Sequence, residues 1–400
     1  MTKVEEERLK YRFNYELIKP KYFRHFSHSR HSKLILMGRI KIDNIECDVP
    51  EGATVLEAAL SLGINIPTLC HKDGLPHYSS CMVCMVKDNK SNGFIPSCAA
   101  LVQSGMDIDA SGNEVILLRK KAVELLLSEH RAECDAPCSV VCPAGYNIPL
   151  LNRMLADNKI EEAIKLTLSE IESNEIQCIN CPAYCENACR RKKVDTAISI
   201  RNLKIFIALK NQAAKISGSS SGLQIDQKES GVQNKAKQKK ENKRFRSLIG
   251  KLEQSELNEW VKECLTIEAR FREISDNDSA SSEAKSCMHC DCRAADDCRL
   301  RDISQELGLK NPSGKLVYAP IAKKINLQNN LIFENAKCIK CGLCVRICED
   351  KTDDPPLCFI HRGFVSIISE PLTNEFVETM KSTAKACIEV CPTGALAFFK

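Results

Sequence analysis

The sequence predicts an α+β chain of several small domains, each gathered around cysteines. Three observations carry that expectation. The 24 cysteines among 400 residues are grouped, at Cys70–Cys98, Cys134–Cys142, Cys178–Cys189, Cys287–Cys298 and Cys338–Cys391. Most steps within the groups are C-x2-C or C-x3-C, and thiolates that close in a loop can turn toward one metal or cluster. Around the groups, apolar residues alternate over 40–49 and recur at helical spacing over 113–130, 148–171 and 248–274, so strand and helix patterns share the chain.

Composition narrows the function classes. Hydrophobic residues make up 44%, enough to bury cores, while aromatics are 5% with Trp260 the one tryptophan. So few rings argue against a surface that stacks single-stranded nucleic acid. The net charge of +5 is partly local: KAKQKKENKRFR at 235–246 follows the Ser/Gly stretch Ser217–Gly222, which reads as a flexible basic linker over 211–247. A docking patch for an acidic partner is the other reading. No apolar run reaches a membrane-spanning length and no signal-peptide core is present, so reduced thiols in a cytoplasmic protein are expected. Residues 1–36 carry nine Lys/Arg with His25, His28 and His31, but also Glu5, Glu6, Glu7 and Glu16. They read as a mobile N-terminal extension, or as upstream sequence joined by a doubtful start.

The first domain is expected over 37–112. Ile40 and Ile42, then Asp43-Asn44, then Ile45, Cys47 and Val49 give two alternating strands about a tight turn. Cys47 falls on the core side. Thr54-Val55-Leu56-Glu57 is a capping box, and Gly63 stops the helix it opens. Hairpin, helix and cysteine loop together suggest a β-grasp ferredoxin fold. Cys70-x10-Cys81-x2-Cys84-x13-Cys98 then offers the four thiolates of a [2Fe–2S] cluster; a four-thiolate zinc site is the alternative. With Ser80-Cys81-Met82-Val83-Cys84 and Pro96-Ser97-Cys98, the pattern resembles the N-terminal domain of the large iron–sulfur subunit of NADH dehydrogenase. It is similar also to the corresponding domains of iron-only hydrogenases and formate dehydrogenases.

An α-helical domain follows over 113–210. An amphipathic helix runs into His130-x3-Cys134-x3-Cys138-x3-Cys142-Pro143, and a second apolar stretch leads to Cys178-x2-Cys181-Pro182-x2-Cys185-x3-Cys189. With Ile148-Pro149, Cys185-Glu186-Asn187-Ala188-Cys189 and Ile198-Ser199-Ile200-Arg201-Asn202-Leu203, this block resembles the double-cluster domain of dihydropyrimidine dehydrogenase and the small subunit of glutamate synthase. The resemblance implies two [4Fe–4S] clusters. One family cysteine is missing near Arg131, which leaves seven cysteines for eight positions. The expected sets are Cys134, Cys138 and Cys189 with His130, and Cys142, Cys178, Cys181 and Cys185. His130 is either a ligand, as in the His-x3-Cys start of the NADH dehydrogenase subunit, or a helix-end histidine on terminal carbonyls.

The segment 248–310 is expected to be helical with a cysteine-rich group. Cys264 reads as packing. Cys287, Cys290, Cys292 and Cys298 form a compact set, either a small zinc or cluster site or partly ligated with unpaired thiols; His289 reads as a bystander.

A ferredoxin-like [4Fe–4S] domain is expected over 311–400. Cys338-x2-Cys341-x2-Cys344-x3-Cys348 is the bacterial ferredoxin run, with Gly342 giving the chain room to wrap. The second half keeps Cys387 and Cys391-Pro392-Thr393-Gly394-Ala395-Leu396, but Lys381 and Ala384 stand where two more cysteines would be. With Phe359-Ile360-His361-Arg362-Gly363 between, the domain again resembles the NADH dehydrogenase subunit. That resemblance implies one cluster on Cys338, Cys341, Cys344 and Cys391, with Cys348 and Cys387 left from a lost site. Cys358 has no assigned role.

One [2Fe–2S] and about three [4Fe–4S] clusters on one chain imply an electron relay. No G-x-G-x-x-G follows a strand and no Walker-type loop occurs, so the ends of the relay are expected on partner subunits: one carrying flavin or nicotinamide, one catalytic and like a formate dehydrogenase or hydrogenase. The chain ends at Lys400, where the resembling chains continue into catalytic domains. A zinc-rich interaction or nucleic-acid-binding protein is one alternative. An enzyme with an open iron site near His130 is another.

Overall fold

A computed structural model of the chain describes residues 37–50, 52–131, 133–170, 178–216, 254–264, 273–294, 297–309, 322–352, 355–371, 380 and 383–399. The expectations for residues 1–36 and for the basic run at 235–246 lie outside the described residues.

Strands β1 (Met37–Ile42) and β2 (Ile45–Pro50) form an antiparallel hairpin, Ile40 opposite Cys47 and Ile42 opposite Ile45. Its two-residue turn works because Asp43 (φ 46°) and Asn44 (φ 68°) both take the left-handed conformation that matches strand twist. Helix α1 (Val55–Ser61) begins in a full capping box: the Glu57 amide donates to Thr54 Oγ1 at 3.2 Å, and the Thr54 amide donates to Glu57 Oε2 at 2.7 Å. It buries Val55, Leu56, Ala58 and Ala59 against Ile40, Ile42, Val86 and Ile108, and each large apolar side chain so buried is worth about 1.5–3 kcal/mol. Strands β3 (Met85–Asp88), β4 (Gly93–Pro96) and β5 (Asp107–Asp109) complete a five-stranded mixed sheet, ordered β2-β1-β5-β3-β4. Only β1 and β5 pair in parallel. Cys47 is half-buried at the edge of this core.

Helix α2 (Asn113–Glu129) lies on β3, where buried Arg119 donates to the Met85 carbonyl at 3.0 Å. After the short α3 (Pro137–Val140), the expected stretch over 148–171 is two helices, α4 (Ile148–Ala156) and α5 (Ile160–Glu170), broken at left-handed Asn158. Helices α6 (Tyr184–Asn187) and α7 (Ile200–Ile216) follow, so residues 211–216, expected in the linker, finish a helix.

Further along the chain, α8 (Gln254–Val261) sets Trp260 into the interior and α9 (Asn277–Lys285) packs on α4. Ala280 and Ala284 join Ile148, Leu151, Leu155, Leu203 and Ile207 in one core. The Ser281 hydroxyl donates to the Ala156 carbonyl at 2.9 Å, and the Ser199 amide donates to Glu283 Oε1 at 2.7 Å. The segments 113–210 and 248–310, expected as two units, therefore share packing.

Helix α10 (Arg299–Glu306) returns to α2 through Leu300 and Ile303. The C-terminal part holds β6 (Lys323–Asn326), β7 (Leu331–Glu334), helix α11 (Leu343–Lys351), β8 (Cys358–Ile360), β9 (Ile367–Ser369), helix α12 (Ala384–Val390) and β10 (Leu396–Phe398). Its three-stranded sheet is ordered β10-β7-β6. Buried charges tie α8 to this sheet: Glu263 pairs with Lys323 and Arg293, and Lys323 Nζ sits 3.6 Å from the Trp260 ring centre. Among the described residues no helix is long and apolar enough to cross a membrane.

Candidate functional site

The candidate ligands come together in several separate places, some buried and some half-buried, not in one surface cleft. Cys70, Cys81, Cys84 and Cys98 are each under 5% exposed. They lie on the loop after α1, at the start of β3 and just past β4, and left-handed Ser79 and Met82 bend the loop around them. The sulfurs associate in pairs. The Cys84 thiol donates to Cys98 at 3.3 Å, and the Cys81 thiol donates to Cys70, holding that group down to about 5 while Cys81 is pushed up. Ser79 Oγ stands 3.7 Å from the Cys98 sulfur.

The second expected set also meets. Cys142, Cys178, Cys181 and Cys185 line one cavity between α6 and α7, with Tyr184, Arg201 and Lys204. Lys204 is 4% exposed and its ammonium donates to the Cys142 sulfur at 3.4 Å. Burial alone would lower its pKa, but the neighbouring sulfurs of Cys142, Cys178 and Cys185 together raise it. Burial pushes the Cys185 thiol up to about 11, so a metal has to displace its proton.

At the C-terminus, burial pushes the Cys344 thiol well up, and the nearby sulfurs of Cys338, Cys341 and Cys391 push it further. The Lys340 amide donates to the Cys338 sulfur at 3.3 Å, and left-handed Lys340 and Gly342 curl the run. A Cβ on Gly342 would stand 3.2 Å from the Phe359 ring and 3.3 Å from Tyr78. Cys348 points elsewhere, 3.1 Å from Cys387 in the adjacent core. Cys358 is half-buried on β8.

The remaining sets are divided differently from the sequence expectation. Cys134 neighbours Cys292 and Cys298, and the Cys292 amide donates to the Cys134 carbonyl at 3.0 Å. Cys138 and Cys189 instead line a cavity with Cys287 and Cys290. The Cys287–Cys298 group is thus split at Asp291, which Arg153 of α4 grips with two bonds of 3.0 and 2.8 Å. The reason is geometric: sulfurs one residue apart need a bend to converge, whereas here each neighbour serves a different side of the chain.

His130 caps α2 and is 5% exposed. Its Nδ1 lies 2.9 Å from the Lys337 carbonyl, so that nitrogen carries the proton and Nε2 keeps its lone pair. Burial pushes the ring down to about 4, which keeps it neutral. Thr393 donates to the same carbonyl at 2.8 Å. A Cβ on Gly394 would overlap Cys292 Sγ, so the Cys391-Pro392-Thr393-Gly394 segment presses directly on the Cys292 side. His289 is buried between Cys287 and Cys290 and left-handed. Among the described residues no three His, Cys, Asp or Glu side chains converge on one ion-sized point; two of the sulfur sets line cavities instead.

Similarity to known proteins adds the class. Residues 37–112 match the family described as 2Fe-2S iron-sulfur cluster binding domain. Residues 121–216 match dihydropyrimidine dehydrogenase domain II, 4Fe-4S cluster. Among individual relatives, an NADH-quinone oxidoreductase subunit of Rhizobium meliloti is 27% identical over 184 residues, 41% of this chain and 21% of that one. An NADP-reducing hydrogenase subunit of Solidesulfovibrio fructosivorans is 40% identical over 101 residues, 24% and 17% of the two chains. A putative formate dehydrogenase of Bacillus subtilis is 26% identical over 174 residues, 40% and 17%. The chain thus spans about a fifth or less of the length of these curated relatives. A solved NAD+-reducing [NiFe]-hydrogenase aligns over 90% of this chain at 16% identity, with a TM-score of 0.44 too low to argue from.

Proposed function

We propose that the chain is an iron–sulfur electron-transfer subunit of a larger cytoplasmic oxidoreductase. It would carry electrons between a nicotinamide- or flavin-bearing subunit and a catalytic subunit like a formate dehydrogenase or hydrogenase. The observation that carries this reading is the shared interior: Cys70, Cys81, Cys134, Cys298 and Cys341 sit in one continuous apolar core. Buried Arg346 donates to the Cys70 carbonyl at 2.6 Å and to the Cys341 carbonyl at 3.3 Å. Ligand groups so close would place their clusters within reach of electron transfer, each tuned by burial and hydrogen bonds.

In this reading the first domain is a β-grasp ferredoxin whose [2Fe–2S] cluster takes Cys70, Cys81, Cys84 and Cys98. The two sulfur pairs suit two irons with two thiolates each. [4Fe–4S] clusters belong to Cys142, Cys178, Cys181 and Cys185 and to Cys338, Cys341, Cys344 and Cys391. A third takes His130 Nε2 and Cys134 with Cys292 and Cys298, a revision of the set expected from spacing. When bound, the clusters supply one-electron chemistry. The chain's own residues hold them, exclude water and set their charge environment.

Anaerobic preparation followed by dithionite reduction and low-temperature paramagnetic resonance tests this. A [2Fe–2S] signal together with overlapping [4Fe–4S] signals is expected. A colourless zinc protein without labile sulfide would overturn it.

A further inference from the structure

We propose that Cys138, Cys189, Cys287 and Cys290 are the four ligands of a further [4Fe–4S] cluster, shared between the two sides of the linker. It rests on the reading of the chain as an iron–sulfur protein. Neither domain match reaches residues 287–290.

The first observation is the common cavity. All four sulfur-bearing residues line it, closed by Ala136, Pro137, Pro149, Ile198 and Ile200. Arg190 and Arg191 line it as well, so apolar walls that limit water meet two cations that suit a negatively charged cluster. The second is local geometry. In Cys287-Met288-His289-Cys290 the third residue is left-handed (φ 46°), which turns its amide back toward the first cysteine. Cys338-Ile339-Lys340-Cys341 does the same, with Lys340 at φ 55° and its amide 3.3 Å from Cys338 Sγ. Both are backbone nests that present N–H groups to a sulfur-rich anion. The third is Asn152 on α4, 1% exposed and lining the cavity. Neither its side-chain nitrogen nor its oxygen has a hydrogen-bond partner there. A buried amide left so is destabilising, and N–H donation to a cluster sulfide would satisfy its nitrogen.

The position gives this cluster a role. Cys138 and Cys189 each lie four residues from a ligand of the Cys142 site, Cys142 and Cys185, while Cys290 lies two residues from Cys292. The cluster stands between those two sites and joins the Cys142 cluster to the rest of the relay. It also fixes the chain beyond the linker to α3 and α4.

Iron and acid-labile sulfide in the anaerobic full chain decide the matter without mutation. The proposal predicts about 18 iron atoms per chain, against about 14 if only one [2Fe–2S] and three [4Fe–4S] clusters are held. A value of about 14 overturns this cluster and leaves the relay intact; absence of sulfide overturns both. Cys138→Ser and Cys287→Ser provide the second arm. Each is expected to lose about four irons and the same resonance signal while the [2Fe–2S] signal, a check on folding, stays. Loss of different signals by the two variants, or full iron in Cys287→Ser, would overturn the assignment.

Discussion

Replacing Lys204 with methionine isolates one electrostatic contribution to the relay. The ammonium is buried and bonds to Cys142 at 3.4 Å, so in the proposed reading it would stand about 6 Å from the centre of a cluster held by that sulfur. At an effective dielectric of about 20, a unit charge at about 6 Å contributes roughly 2.8 kcal/mol. Reduction adds one negative charge, which the cation stabilises. Its loss should therefore lower the midpoint by about 120 mV, from about 59 mV per tenfold for one electron. The half-open cavity, with Tyr184 and Cys181 in its lining, admits screening that could halve the effect. Methionine keeps the stem's volume over the Tyr146 ring, where Lys204 Nζ lies 4.2 Å from the centre. Potentiometric titration followed by paramagnetic resonance reads the shift. An unchanged or raised midpoint with full iron content would refute the reasoning.

Other expectations follow from the same contacts. Arg346→Met removes the buried link among the Cys70, Pro76 and Cys341 carbonyls and should cost about 3 kcal/mol; an unchanged thermal midpoint would contradict it. Glu263→Gln leaves Lys323 and Arg293 buried beside a neutral amide and should destabilise by about 3–5 kcal/mol at pH 7. Burial raises the Glu263 carboxyl, but Lys323 and Arg293 hold it down to about 2. Its stabilisation is therefore complete above the ordinary carboxylate range and lost only as pH falls toward about 2, and thermal unfolding from pH 8 to 5 should show a constant difference between variant and parent. Cys348→Ala with Cys387→Ala should leave iron content unchanged, because these sulfurs face each other at 3.1 Å; loss of about four irons would make them ligands.

Much of the fold was legible wherever its cause is local. Asp43-Asn44 marked the hairpin and Thr54…Glu57 the first helix because each acts through neighbouring backbone groups. In the first and last domains the sulfurs grouped by the sequence also lie near one another, because short steps such as Cys81-x2-Cys84 and Cys338-x2-Cys341-x2-Cys344 fix most of each set locally. The partition of Cys134, Cys138, Cys287, Cys290, Cys292 and Cys298 was not. It depends on α9 crossing the linker to pack on α4, and spacing carries no information about that encounter. A local signal did exist: Cys287-x2-Cys290 and Cys292-x5-Cys298 are two different steps set side by side. Asn152 left no trace at all, since an asparagine on a helix becomes informative only when its amide is buried against sulfur with its hydrogen bonds unmade.

Flash photoreduction of the anaerobic protein tests the relay most directly. A single injected electron should bleach one cluster and then redistribute to another at a rate independent of protein concentration. A redistribution rate that scales with concentration, or no movement between clusters, would contradict the account.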